Sequence, residues 1–376
     1  MTREPAARRE ILQVCHSYYA PFLDVARQYN ALFPRNEWRI TTVFLSGDAD
    51  PAIREQIGAD EVIFLERVPA QLRGLKLPLI RELRKIVATH DFAFAIAHRF
   101  KALYLCTQIA GLFTFGVQHR PGGYRRWGRR FYARWRRDRL ALLGVSDFVR
   151  DDMRGDLPDF PADKIETLHN HIDIAAQQSE LLPRAQARAQ LQLPADDYLF
   201  VNIGRLHPDK DQATLLRGFA AYCENGGAGT LVIIGKGRLE QTLKQLAADL
   251  GIAQRVRFTG PVPEARRYLQ AFDSFVLTSD HEPFGMVLLE AMAAGLPIAS
   301  SNCGGAPEVL GSTGLLFDLG DAQQLAQCLR ALRELDTAGR AALQAQQAQR
   351  LDALFSDAAA AQALRRLPAA TALFER

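Results

Sequence analysis

Two glutamates, Glu282 and Glu290, stand eight positions apart in SDHEPFGMVLLEAMAAGLPIAS (279–300). If Phe284 to Ala294 is a helix rising about 1.5 Å per residue, their carboxylates lie up to roughly 12 Å apart. Such a pair is too widely spaced to act on the two sides of one glycosidic bond, even with inversion. The spacing suits a nucleotide diphosphate held with one carboxylate at each end. The amides of Gly285, Met286 and Val287 in the first helical turn would then meet phosphate, aided by the helix dipole. A capped surface helix is the plainer alternative, and the Glu-Pro-Phe-Gly turn argues against it.

Three further loops follow apolar runs in the same half of the chain. GRLHPDKD (204–211) offers Arg205 and Lys210, two cations suited to a diphosphate, although such a loop alone reads as ordinary solvated surface. IGKGRLE (234–240) places Gly235 and Gly237 ahead of a helix, where backbone can approach an anion. It lacks a full G-x-G-x-x-G, and no G-K-[ST] follows. SNCGGAPEVL (301–310) adds Gly304 and Gly305, either as a ligand cradle or as a tight turn.

The elements that must position these loops alternate strictly. ILQVC (11–15), WRITTVFL (38–45), EVIFL (61–65), FAFAIA (92–97) and FTFGV (113–117) read as strands, separated by helical periodicity as in 21–33 and 79–90. A second series follows: YLFVNIG (198–204), TLVIIG (230–235), RVRFTG (255–260), SFVLTS (274–279) and PIAS (297–300). The expected fold class is α/β, with two Rossmann-like doubly wound domains facing each other across a cleft. The expected boundaries are 1–174, 175–345, and a helical segment 346–376 returning to the first domain. The Gln/Ala/Pro-rich stretch 172–194 is expected to be the connection.

The ordered set GRLHPDK, GKG, HEPFGMVLLEAMAAGLPIAS and GGAPEV resembles family 4 retaining glycosyltransferases of the GT-B fold. The resemblance is dense over the second domain and looser over the first, where LLGVSDFVRDDM (142–153) and KIETLHNHID (164–173) carry it. It implies that Arg205 and Lys210 bind the donor diphosphate, Glu282 the transferred sugar and Glu290 the ribose. Val262, in RVRFTGPVP, would lie against the base. It also implies no metal and no cofactor beyond the nucleotide-sugar co-substrate, a UDP-sugar by default and GDP-mannose next. Lipopolysaccharide core or another cell-surface polysaccharide is the implied product class. A nucleotide-sugar epimerase or a non-catalytic sugar-nucleotide-binding module on the same fold are the competing readings.

In the first domain His119 follows FTFGV, where the resemblance places an active-site histidine. His98, after FAFAIA, occupies an equivalent strand end and is a second candidate for the acceptor side. The loop CHSYYAPF (15–22) departs from the family's Gly-Gly turn, so His16 and Tyr18 are expected to meet the acceptor by side-chain contact.

RPGGYRRWGRRFYARWRRDR (120–139) is the most unusual segment. Arg125, Arg126, Arg129, Arg130, Arg136 and Arg137 surround an aromatic stripe, Trp127, Phe131 and Trp135, that repeats every four residues. The plain expectation is a helix packing the stripe on the sheet with its basic face in water. The sharper one is a patch for an anionic membrane or glycolipid acceptor. Nucleic acid ranks last, since no motif for it is present.

Composition agrees with a globular protein: 48% hydrophobic and 23% charged, with a formal net charge of +4. Five scattered cysteines without C-x-x-C argue against a disulfide framework or structural zinc. No signal-like leader is visible, and the apolar run 102–117 is short and interrupted. The expected location is the cytoplasm, at the inner face of the cytoplasmic membrane if the basic patch engages it.

Overall fold

The computed structural model describes residues 8–19 and 22–374. The chain forms two compact units, one of residues up to Asn170 together with those from Asp357 onward, the other His171–Ser356.

The first unit holds seven strands: β1 (Arg9–Cys15), β2 (Trp38–Phe44), β3 (Glu61–Phe64), β4 (Phe92–His98), β5 (Thr114–Gln118), β6 (Leu140–Gly144) and β7 (Ile165–Thr167). They pair in the order β3-β2-β1-β4-β5-β6-β7, all parallel. The second unit holds β8 (Leu199–Ile203), β9 (Thr230–Ile234), β10 (Val256–Gly260), β11 (Ser274–Leu277), β12 (Ile298–Ser301) and β13 (Leu315–Phe317). Their order is β10-β9-β8-β11-β12-β13, again all parallel. Strands covered by helices on both faces must be apolar throughout, and Phe200, Val201, Leu231, Ile233, Phe275 and Val276 are all fully buried. Both sheets are the doubly wound arrangement expected. Each reverses direction once, between β1 and β4 and between β8 and β11. Ligands of such sheets bind beyond the strand C-termini at those switch points.

Three expectations change. The stretch 172–194 is not a linker: it forms helices Ile174–Ser179 and Arg184–Gln190 within the second unit. Buried Arg188 anchors it, donating to Asp273 at 2.9 Å and to the Ala271 and Pro194 carbonyls at 2.8 Å. Low periodicity there reflects short helices held by hydrogen bonds rather than by an apolar stripe.

The C-terminal helices also divide differently from the expected 345/346 boundary. Helix Thr337–Phe355 belongs to the second unit, the chain extends at Ser356 (ψ 157°), and Asp357–Arg366 and Pro368–Phe374 join the first. Phe374 closes an aromatic cluster with Trp38 (5.4 Å), Phe94 (5.9 Å) and Phe33 (6.4 Å).

The aromatic stripe is the third change. In the helix Trp127–Trp135 the buried residues are Tyr132 and Ala133, whereas Trp127, Phe131 and Trp135 are 77%, 66% and 61% exposed. The Tyr132 hydroxyl bonds Thr107 at 2.6 Å and Gln108 at 2.7 Å, and that polar anchor turns the stripe outward. Arg129 and Arg136 face inward with Tyr132. Arg129 lies 4.8 Å over the Phe100 ring and donates to the Gly123 carbonyl at 2.8 Å, and Arg136 donates to Gln108 at 3.1 Å. Arg125, Arg126 and Arg137 remain exposed and Arg130 half-buried, so only part of the expected basic patch reaches solvent.

Among the described residues no helix is long and apolar enough to cross a membrane.

Candidate functional site

In the second unit the loops after β8 and β11 meet across the switch point. The turn Pro208–Lys210 follows β8, and Asp211, in the left-handed region at φ 40°, caps the next helix through Thr214 N. Lys210 is thereby directed at the β11 loop, where Nζ donates to Glu282 Oε2 at 2.7 Å and to Ser279 Oγ at 3.3 Å. Ser279 Oγ donates to the same carboxylate oxygen at 3.2 Å. The ammonium keeps a third N–H, and no described residue bonds Oε1 of Glu282. One donor and one acceptor therefore remain to this pair after its own geometry is satisfied.

The pair is tightly held. Thr278 Oγ1 donates to the Lys210 carbonyl at 2.9 Å, Asp280 N to the Asp209 carbonyl at 3.1 Å, and Ser301 Oγ to the Ser279 carbonyl at 2.6 Å. Side-chain exposures of 18% for Lys210 and 10% for Glu282 make this a low-dielectric ion pair, unlike Arg205. Arg205 is 69% exposed and bonded to Asp209 at 3.0 Å, a screened surface pair that a diphosphate can outcompete. The two cations thus have different characters, and Lys210 pairs with Glu282 itself rather than standing between the two glutamates.

The glycines serve the same packing. A Cβ on Gly235 (φ 145°) would lie 1.9 Å from the Gly204 carbonyl oxygen, and one on Gly237 2.2 Å from that of Leu206. These residues let the β8 and β9 loops lie backbone to backbone, joined by Leu206 N to the Lys236 carbonyl at 3.0 Å. Gly304 (φ 58°) likewise sits where a Cβ would be 2.1 Å from the Glu282 carbonyl oxygen, and Gly305 N donates to that oxygen at 2.8 Å. Gly285 (φ 103°) opens the helix Met286–Ala293 with no side-chain cap, Leu288 N donates to its carbonyl at 2.9 Å, and a Cβ on it would lie 3.6 Å from Glu282 Cγ, so the positive end of the helix, with Val287 in its first turn, sits beside that glutamate. Glu290 lies one turn before the end of that helix, half-buried, and its charge acts on Arg266. Val262 is half-buried beyond β10.

In the first unit the strand ends carry a linked set. Gln13, fully buried on β1, donates through Nε2 to the Ala26 carbonyl at 3.1 Å and to Asn30 at 2.8 Å, which turns its Oε1 to His98 Nε2 at 3.1 Å. His98 Nε2 must then carry the proton, so its Nδ1 accepts from His119 Nε2 at 3.1 Å. Nδ1 of His119 is left as a lone-pair acceptor. Burial, with the Arg99 guanidinium nearby, pushes His119 down to about 3. Burial and the facing His119 hold His98 well below the usual imidazole range.

His98 is 2% exposed and does not meet an acceptor directly, contrary to expectation; it sets the tautomer of His119. Tyr18 is also reassigned. Its ring packs edge-on against Phe44 (5.7 Å) and Phe64 (5.8 Å), and its hydroxyl donates to the Asp48 carbonyl at 3.0 Å. His16 stays a site candidate: it is half-buried at the end of β1, and burial, Lys101 and Arg99 lower its pKa. Gln13, Ser279 and Asp209 escaped the sequence reading, since a glutamine within ILQVC and a serine closing SFVLTS look like ordinary strand residues.

Residues 183–350 match the family model described as glycosyl transferases group 1. A lipopolysaccharide core biosynthesis glycosyltransferase, LpsD of Rhizobium meliloti, is 39% identical over 175 residues, 46% of this chain and 50% of that protein. A GDP-mannose-dependent phosphatidylinositol monomannoside mannosyltransferase of Mycobacterium tuberculosis is 34% identical over 42% of this chain and 44% of its own. The chain thus spans about half the length of the curated relatives it matches. Among solved structures, Anabaena Alr3699/HepE in complex with UDP and glucose superposes with a TM-score of 0.72 at 23% identity, over 95% of this chain and 98% of that one. That likeness extends the shared fold across both units. The four loops built around Lys210 and Glu282 all lie within the matched span, so the second unit of this chain is similar to the glycosyl transferases group 1 family over residues 183–350.

Proposed function

We propose that the protein is a retaining glycosyltransferase that moves a hexose from a nucleotide-sugar donor to a glycan or lipid-linked acceptor, such as lipopolysaccharide core, at the inner face of the cytoplasmic membrane. The observation that carries this reading is the Lys210–Glu282 pair at the switch point, one N–H and one carboxylate oxygen still unused, beside an uncapped helix N-terminus. Lys210 and Arg205 offset charge growing on the leaving diphosphate, the kind of electrostatic stabilisation that dominates such transfers. The amides of Gly285, Met286 and Val287 bind phosphate, Glu282 Oε1 accepts from hydroxyls of the transferred sugar, and Glu290 binds the ribose. Retention follows if the acceptor hydroxyl attacks the oxocarbenium-like sugar from the face the diphosphate leaves, its proton passing to the departing phosphate oxygen. His119, neutral at physiological pH, supplies an acceptor to a sugar hydroxyl. No metal or organic cofactor takes part, so excess EDTA leaves the rate unchanged.

A UDP-sugar is the favoured donor, supported by the UDP and glucose bound in the Anabaena protein; the mycobacterial relative supports GDP-mannose as the second choice. The name of the Rhizobium relative supports a lipopolysaccharide acceptor. Thermal shifts with UDP-, GDP- and ADP-sugars identify the donor, since stabilisation grows as RT ln(1 + [L]/Kd). With that donor, Lys210→Met and Glu282→Gln each lower transfer by about 10²–10³-fold while circular dichroism is unchanged. Wild-type rates in either variant refute the donor-site assignment, and an inverted anomeric configuration in the product refutes retention.

A further inference from the structure

Resting on the membrane reading above, we infer that the first unit docks on an anionic bilayer through two segments, the outward face of the helix Trp127–Trp135 and the turn Leu75–Leu77. Leu75 and Leu77 are 69% and 55% exposed, although Leu72 and Leu79 on either side are buried in the core. Lys76 between them has left-handed backbone at φ 56°.

The turn shares an aromatic seat with the helix. Tyr104 Oη donates to the Leu75 carbonyl at 3.3 Å, and Lys76 Nζ stands 4.8 Å over the Tyr104 ring. The Tyr104 ring lies 5.1 Å from Tyr132, whose ring is 6.1 Å from Trp135. Two leucines and the outward stripe therefore project from one rigid support rather than from independent loops.

The chemistry of the surface selects its partner. Within segment 120–139 Arg120, Arg125, Arg126 and Arg137 are exposed against one exposed aspartate, Asp138, so the partner is anionic. A nucleic acid would engage the arginines and have no use for two exposed leucines. A bilayer uses both: its phosphates meet guanidinium groups, its headgroup boundary takes tryptophan, and leucine side chains enter the acyl edge.

Tryptophan emission reads the contact directly, because Trp38 is buried and Trp127 and Trp135 are not. The full-length protein is titrated with vesicles of phosphatidylcholine and phosphatidylglycerol in a three-to-one ratio, with phosphatidylcholine alone as control, followed by sedimentation. The expected result is a blue shift and co-sedimentation with the anionic vesicles only. L75S/L77S should weaken binding about tenfold, and W127S/F131S/W135S at least as much, both with unchanged circular dichroism. Parent-like binding by L75S/L77S, with loss in the triple variant, overturns the two-segment inference and leaves the membrane reading standing. No binding by the parent, or a blue shift with transfer RNA and none with vesicles, overturns both.

Discussion

Buried His98 and half-buried His119 form an imidazole pair kept neutral by desolvation, and a consequence for stability follows. Both pKa values are lowered in the folded protein, His119 to about 3, while the unfolded chain titrates near 6.5. Between those values the unfolded state binds more protons, so stability rises with pH. The contribution is fully present above about pH 6.5 and is lost as pH falls toward the folded values, at no more than roughly 1.4 kcal/mol per pH unit for each imidazole. The melting temperature should therefore fall as pH is lowered from 7 to 4.5, and His98→Gln, which keeps hydrogen-bonding capacity without the titration, should flatten that slope. An unchanged slope would show that the pair is not held neutral. His119 stands out in the sequence as a candidate because it directly follows a strand and the family resemblance marks its position. The role of His98 does not, because Gln13 and Asn30, which orient it, lie 85 and 68 positions away.

At the scale of elements, site precision comes from loops packed on loops. Gly235→Ala forces a side chain into the left-handed region and against the Gly204 carbonyl. Backbone strain there costs about 1–3 kcal/mol before the clash is relieved. The expected outcome is a lower melting temperature together with weaker donor binding by calorimetry, since moving the β9 loop moves the β8 loop that carries Lys210. Gly226→Ala, a left-handed position with nothing within 4 Å, should leave donor affinity unchanged and serves as the control. Strands were read well from the sequence. WRITTVFL became Trp38–Phe44 and TLVIIG became Thr230–Ile234, because β-branched runs buried on both faces have few other solutions. The helix Trp127–Trp135 was read with the correct period and the wrong face. Periodicity identifies a stripe, but the side that packs was decided by the bonds of Tyr132 to Thr107 and Gln108, which no spacing rule encodes. Glycines 235, 237 and 304 were likewise recognised as places of close approach, with the neighbour being another loop of the same unit.

For the molecule as a whole, the connectivity matters more than the count of strands. The second unit is one continuous stretch, His171–Ser356, while the first is assembled from both ends of the chain. Phe374 packs with Trp38, Phe33 and Phe94, and Arg9 donates to the Phe374 and Leu373 carbonyls. Phe374→Ala, at a half-buried position, should destabilise the first unit by about 2 kcal/mol, below the range for fully buried aromatic truncations. That corresponds to a shift of roughly 4–8 °C in its melting transition for a unit of this size. Deleting Asp357 onward should lower that transition further while leaving the donor-induced thermal shift of the second unit in place; loss of both would mean that the units do not unfold independently. The same arrangement orders events on the ribosome. Residues of the first sheet leave the exit tunnel before those of the second unit, yet their aromatic cluster lacks a member until Phe374 has followed that unit out. The second unit has emerged whole by then, so of the two units the one begun first is completed last.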